Sequence, residues 1–145
     1  MKKNSKLEPN YKYKNLENLE KDFWGEPKYE SYLVKTCHKL RKKIINEFSI
    51  EDLRIMIGQN IGLKYLIPSA IEILNQNIIA EGDFYEGDLL KSVLTSEIDY
   101  WKNNKDNWNK IIEIITKKEE LLKSFETTKE IRMEIFESIE RFKKL

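Results

Sequence analysis

The chain has 145 residues, enough for one hydrophobic core of ordinary size. Its 26 Lys and Arg against 25 Asp and Glu leave a formal charge of +1, which excludes the long-range field of a dedicated nucleic-acid or membrane-surface binder. Apolar residues make up 40%, with three Trp, seven Tyr and six Phe, too much anchoring material for a disordered chain.

Residues 1–14 carry five Lys against one Glu and are expected to form a basic, flexible tail, with 15–145 as a single helical domain. A short helix is predicted near 15–23, ended by Gly25 and Pro27. Tyr29, Leu33, Cys37, Leu40 and Ile44 then step by 4, 4, 3 and 4, which predicts a helix over 29–43 with one apolar stripe. Ser49 precedes Ile50-Glu51-Asp52, an N-cap followed by acids in the first turn, where the helix dipole favours them. Leu53, Met56 and Ile57 give that helix its apolar side, and it should stop near Gly58. From Leu63 to Leu74 the chain is apolar almost all round, as befits a helix in the middle of a bundle. Pro68 within it predicts a kink or a helix start at that residue.

The stretch Ala80–Asp88 reads as a loop by its glycines and acids, with Asp88 capping the helix that begins Leu89-Leu90. Residues 88–145 contain neither Gly nor Pro. There Trp108, Ile111, Ile115, Leu122 and Phe125 form one stripe. After Thr127-Thr128, a cap, Ile131, Ile135, Ile139 and Phe142 form another. The two read as an antiparallel amphipathic hairpin with its seam inward. No run alternates strictly between apolar and polar residues. The predicted fold class is all-α, a single-domain bundle of six to eight helices.

Cys37 is the only cysteine and His38 the only histidine, so neither an intrachain disulfide nor a four-ligand cysteine zinc site can form. As helical neighbours their side chains diverge by about 100°, out of reach of a thiolate–imidazolium pair. Both are read as structural, Cys37 as a small hydrophobe on the apolar stripe. No phosphate-cradling glycine pattern is present, and the Glu81–Asp88 loop lacks the acid spacing of a calcium-binding EF-hand. No cofactor and no metal are expected. The lysine-rich start has no apolar stretch behind it, and no run approaches a membrane span, so a cytoplasmic location is expected.

Charge is nonetheless uneven. Between Tyr65 and Leu90 lie five acids (Glu72, Glu81, Asp83, Glu86, Asp88) and no Lys or Arg, a window of −5 interleaved with Phe84 and Tyr85. It could solvate a loop with its aromatics turned inward, steer a basic protein partner that the aromatics anchor, or supply paired carboxylates to a cleft. The basic run Lys35, Lys39, Arg41, Lys42 and Lys43 reads as a solvated helix face rather than a nucleic-acid contact, given how little Arg the chain contains.

Several blocks follow one another in order. They are Phe23-Trp24-Gly25-Glu26-Pro27, Tyr32-Leu33-Val34, Cys37-His38 with Leu40-Arg41, and Glu51-Asp52-Leu53-Arg54. Gly58-Gln59-Asn60-Ile61-Gly62-Leu63, Tyr65-Leu66-Ile67-Pro68, Ala80-Glu81-Gly82-Asp83-Phe84-Tyr85 and Gly87-Asp88-Leu89-Leu90 complete the series. This succession, over roughly 19–94, resembles the immunity proteins of bacterial contact-dependent growth inhibition systems. It departs from that pattern at Ile44 and Glu86, where Pro would be expected.

The resemblance implies a small cytoplasmic protein, not an enzyme, that binds the toxic C-terminal domain delivered by a sister cell, often a nuclease. A monomer in a one-to-one complex is expected, with no direct contact to nucleic acid or membrane. The candidate toxin-binding residues are Glu81, Asp83, Phe84, Tyr85, Glu86 and Asp88, together with Gln59, Asn60, Tyr65 and Glu72. The C-terminal hairpin, outside the resemblance, is where partner specificity is expected to reside. The alternative is a helical adaptor or regulator unrelated to toxins.

Overall fold

The computed structural model describes residues 7–145. The expected tail over 1–14 therefore falls in part on residues 1–6, outside the described residues. As expected, the fold is all-α, and among the described residues the only β-pairing is an isolated bridge between Glu81 and Glu86. The chain divides after Phe48 into two compact units.

The first unit is held by turns as much as by helices. A 3-10 turn at Tyr11–Tyr13 buries Tyr11 and contacts a second at Ile45–Glu47, tied by the Ile45 N–H to the Lys14 carbonyl at 3.0 Å. Helix α1, Leu16–Glu20, is capped by the Asn15 side chain, which accepts from the Asn18 N–H at 2.9 Å. Helix α2, Tyr32–Arg41, starts at Ser31, whose hydroxyl accepts from the Val34 N–H. It is shorter than the predicted 29–43, and only the C-terminal part of its stripe is core. Cys37 and Leu40 are buried, whereas Tyr29, Leu33 and Ile44 are exposed.

Arg41 also departs from expectation. Instead of lying on a solvated face it is 1% exposed, with its guanidinium bound to Glu20 Oε1 at 2.5 Å and the Asp22 carbonyl at 2.6 Å.

The second unit, Ser49–Leu145, is built on helix α4 (Leu63–Gln76), whose Leu63, Tyr65, Leu66, Ile67, Ala70, Ile71 and Leu74 are all buried. Pro68 neither starts nor ends it; the helix runs through and forgoes the bond a residue there would make to the Lys64 carbonyl. Helix α3, Ile50–Gly58, opens with a full capping box in which Ser49 and Asp52 each accept the other's backbone N–H. It closes in a Schellman motif. The Asn60 N–H reaches the Ile57 carbonyl and the Ile61 N–H the Met56 carbonyl, both at 2.9 Å, and Asn60 takes the left-handed φ of 59°. Asn60, not Gly58, supplies the turn.

Helix α5, Asp88–Leu94, packs on α3 and α9, and the short α6, Ile98–Lys102, carries the fully buried Trp101. The Trp101 indole N–H donates to Ser96 Oγ at 2.9 Å, and its ring meets Phe142 edge-on at 4.8 Å. The predicted two-helix hairpin is three helices: α7 (Lys105–Lys117), α8 (Glu119–Ser124) and α9 (Lys129–Lys143). Residues 116–121 are exposed throughout, so no buried side chain holds that turn in one continuous helix. Nor does the seam join the two long helices alone. Helix α7 lies chiefly on α4 and α9 chiefly on α5, while Trp108 links their ends through its N–H to the Phe142 carbonyl at 2.9 Å. Among the described residues this split and the short α6 bring the α-helices to nine, past the predicted six to eight.

Candidate functional site

The Glu81–Asp88 loop is shaped by two carboxylates from the helices beneath it. Asp88 is 3% exposed, and its Oδ1 accepts the Gly82 N–H at 2.7 Å. Its Oδ2 accepts the N–H groups of Phe84 and Tyr85 at 3.1 and 3.4 Å. Glu51 of α3 takes the remaining one, the Asp83 N–H, at 2.8 Å. The four successive amides 82–85 are thus all held by carboxylate oxygens, charge-assisted bonds that fix the loop's shape. A Cβ at Gly82 would sit 2.5 Å from Glu51 Oε1, so a side chain there would displace the carboxylate that holds the Asp83 amide. Gly87 adopts a φ of +96°, which L side chains rarely accept, and caps α5. Asp88 is therefore the first residue of α5 and not its cap, and its carboxylate turns back into the loop.

Arg54 completes the arrangement. It binds Glu51 in two-pronged fashion, at 2.7 Å from Nε to Oε1 and 2.6 Å between Nη2 and Oε2, and lies 3.8 Å from Asp88 Oδ2. The Arg54 hydrogen bonds hold the Glu51 carboxyl below its usual pKa. The guanidinium also stacks on the Phe84 ring at 4.4 Å from its centroid, beneath a side chain that is 68% exposed. Burial pushes the half-buried Tyr85 hydroxyl up. On the outside, Glu81, Asp83 and Glu86 are exposed.

Of the ten candidate residues, then, Glu81, Asp83, Phe84, Tyr85 and Glu86 share one surface loop, Asp88 lies beneath it, and the other four are not part of it. Asp88 is buried as the loop's internal anchor. Tyr65 is 7% exposed and belongs to the core. Asn60 is a turn residue whose Oδ1 accepts the Glu97 N–H at 2.8 Å, and Gln59 is the exposed C-cap of α3. Glu72 lines a groove with Ile71, Asn75, Lys110, Glu113 and Ile114, none of them loop residues. Arg54, Glu51 and Gly82 are the residues that sequence reasoning missed as parts of this site.

A second surface lies in the first unit. Residues 22–38 form an open groove of about 350 Å³ lined by Asp22, Phe23, Trp24, Glu26, Lys28, Tyr29, Val34 and His38. Trp24 is held from behind by the Arg41 guanidinium, 4.5 Å from its ring, and edge-on by His38 at 5.0 Å. His38 Nδ1 lies 3.2 Å from the Gly25 carbonyl. Cys37 is buried, and burial pushes its thiol up, the opposite of an activated nucleophile. Among the described residues no group of three or more His, Cys, Asp or Glu is gathered to hold a metal ion.

Compared with protein families, residues 18–111 match the CDI immunity proteins. This chain belongs to that family. The match runs further than the sequence blocks over 19–94, starting within α1, covering α2 to α6 and entering α7. Both the loop and the groove of this immunity protein lie within it, while α8 and α9 lie beyond. Comparison with curated proteins and with solved structures gave no match. Immunity proteins of this family are generally not enzymes, and no described helix is long and apolar enough to cross a membrane.

Proposed function

We propose that this immunity protein binds a cognate toxin domain one to one in the cytoplasm and neutralises it by occluding the toxin's active site. The observation that carries this reading is the Glu81–Glu86 loop surface. Three exposed carboxylates flank an exposed phenylalanine on a backbone already fixed by Asp88 and Glu51. A fixed loop loses little conformational freedom on binding, so more of its contact energy appears as affinity. Its charges steer a basic partner and Phe84 anchors it. If the toxin is a nuclease, its basic active site is the natural seat for these carboxylates, which would stand where substrate phosphates sit.

The test is a titration of purified protein against the toxin domain encoded beside it, with toxin activity read in the same tube. Tight binding with loss of activity is expected. Reversing Glu81 and Glu86 together to Lys should weaken binding by about 2–5 kcal/mol. Unchanged affinity, with the fold intact by circular dichroism, would take the loop out of the interface. No binding by the wild type would favour the adaptor alternative.

A further inference from the structure

The groove of the first unit has a chemistry that the loop does not share. Phe23, Tyr29 and Tyr32 are 64, 71 and 77% exposed, and the exposed faces of Trp24 and Leu33 join them, so five large side chains over residues 23–33 meet solvent. Tyr29 and Leu33 belong to the very stripe whose C-terminal half, Cys37 and Leu40, is core. Large aromatics left on a surface together mark an interaction site. The groove is open along one side, so it cannot enclose a small ligand as a dedicated pocket does; a side chain projecting from a protein surface fits it.

Its charge names that side chain. Asp22 and Glu26 line the groove against a single Lys28. The Asp22 carboxylate already accepts the Trp24 indole N–H at 3.2 Å, whereas Glu26 is exposed and has no ion-pair partner among the described residues. Aromatic rings beside an available carboxylate attract a cation through both the ring quadrupole and the ion pair. The same unit already uses this chemistry where Arg41 sits on the inner side of Trp24. We propose that the Phe23–Tyr29 groove receives an arginine or lysine side chain of the cognate toxin, a second contact independent of the acidic loop. The choice of occupant rests on the toxin-binding reading above; the cation chemistry does not.

Two measurements test it on the full chain. In the first, isotope-labelled protein is titrated with N-acetyl-arginine methylamide and, separately, with its uncharged norleucine counterpart, and shifts are followed by NMR. Saturable shifts confined to the Trp24 indole and residues 23–29, seen only with the arginine compound and lost in Glu26→Lys, are expected. No saturable shift, or equal response to the neutral compound, overturns the cation site.

In the second, the toxin domain is titrated with wild type, with Phe23→Ala/Tyr29→Ala and with Glu26→Lys, all at exposed positions and each with its fold verified by circular dichroism. The dissociation constant should rise about tenfold or more, the size of one desolvated cation–π contact with its ion pair. Unchanged affinity removes the toxin from the groove. A wild-type protein that ignores the toxin sinks both the toxin-binding reading and this occupant, and the arginine titration then decides the groove's chemistry alone. Self-association abolished by the same variants would assign the groove to a second copy and overturn the proposal.

Discussion

Replacing Asp88 by alanine removes three hydrogen bonds from the base of the loop in one substitution. The bonds to the Gly82 and Phe84 amides, at 2.7 and 3.1 Å, have good length, and the one to Tyr85 at 3.4 Å is weak. A hydrogen bond to a charged group contributes about 1.5–3 kcal/mol. Two good ones therefore suggest up to about 6 kcal/mol, but Phe84 is exposed and Gly82 half-exposed, so water can replace part of the loss. Losing an acid from the first turn of α5 adds about 0.3–1 kcal/mol, and Arg54 keeps Glu51 as its main partner. The expected cost is about 2–4 kcal/mol. Urea denaturation measures it, and amide hydrogen exchange locates it, since residues 82, 84 and 85 should lose protection first. A cost below about 0.5 kcal/mol with those three amides still protected would refute the view that Asp88 organises the loop.

Trp101→Ala should cost about 3–5 kcal/mol by chemical denaturation, because a fully buried indole packed on Phe142 is lost and the Ser96 hydroxyl loses its donor. Acid should weaken the second unit in a particular way. The Glu51 pKa is depressed by Arg54, so its contribution is present above the ordinary value of 4.5 and is lost as pH falls below it. Glu51→Gln should flatten the stability–pH profile in that window, and an unaltered profile would count against the ion pair. Gly87→Ala combines a strained φ with a Cβ only 2.9 Å from Ile135 Cδ1, and should destabilise by about 1–3 kcal/mol in a thermal melt. Cys37 should react with a thiol reagent far more slowly in the native protein than in urea; equal rates would place it at the surface.

Where local chemistry decides local structure, the sequence could be read directly. Ser49 and Asp52 announce α3 through spacing alone, and Thr128 caps α9 by accepting the Ile131 N–H. The stripe Ile135, Ile139, Phe142 is buried as its period requires. The candidate site was less legible because its logic runs through distance. Nothing in the neighbourhood of Arg54 says that it will meet a phenylalanine thirty positions later along the chain. Asp88 stands where an N-cap would stand, and a sequence does not reveal that its carboxylate faces backward. The aromatic groove was misjudged for the opposite reason. Tyr29 and Leu33 keep perfect helical spacing with Cys37, and periodicity alone cannot tell a stripe that is covered from one left bare.

The glycine at the foot of the loop has one more implication. Ile135 and Phe125 stand where a Cβ on Gly87 would meet them, and Lys91 of α5 reaches Glu134 at 3.3 Å, so part of the platform beneath the loop is drawn from α9 and the end of α8. Those supports lie past Ile111, outside the stretch shared with the family. A chain cut at Ile111 would keep every residue of the loop, with Asp88 and Glu51, and lose the outer part of its support. If the loop binds toxin as proposed above, exchanging only the last thirty-four residues between two immunity proteins should alter toxin choice without editing a single loop residue.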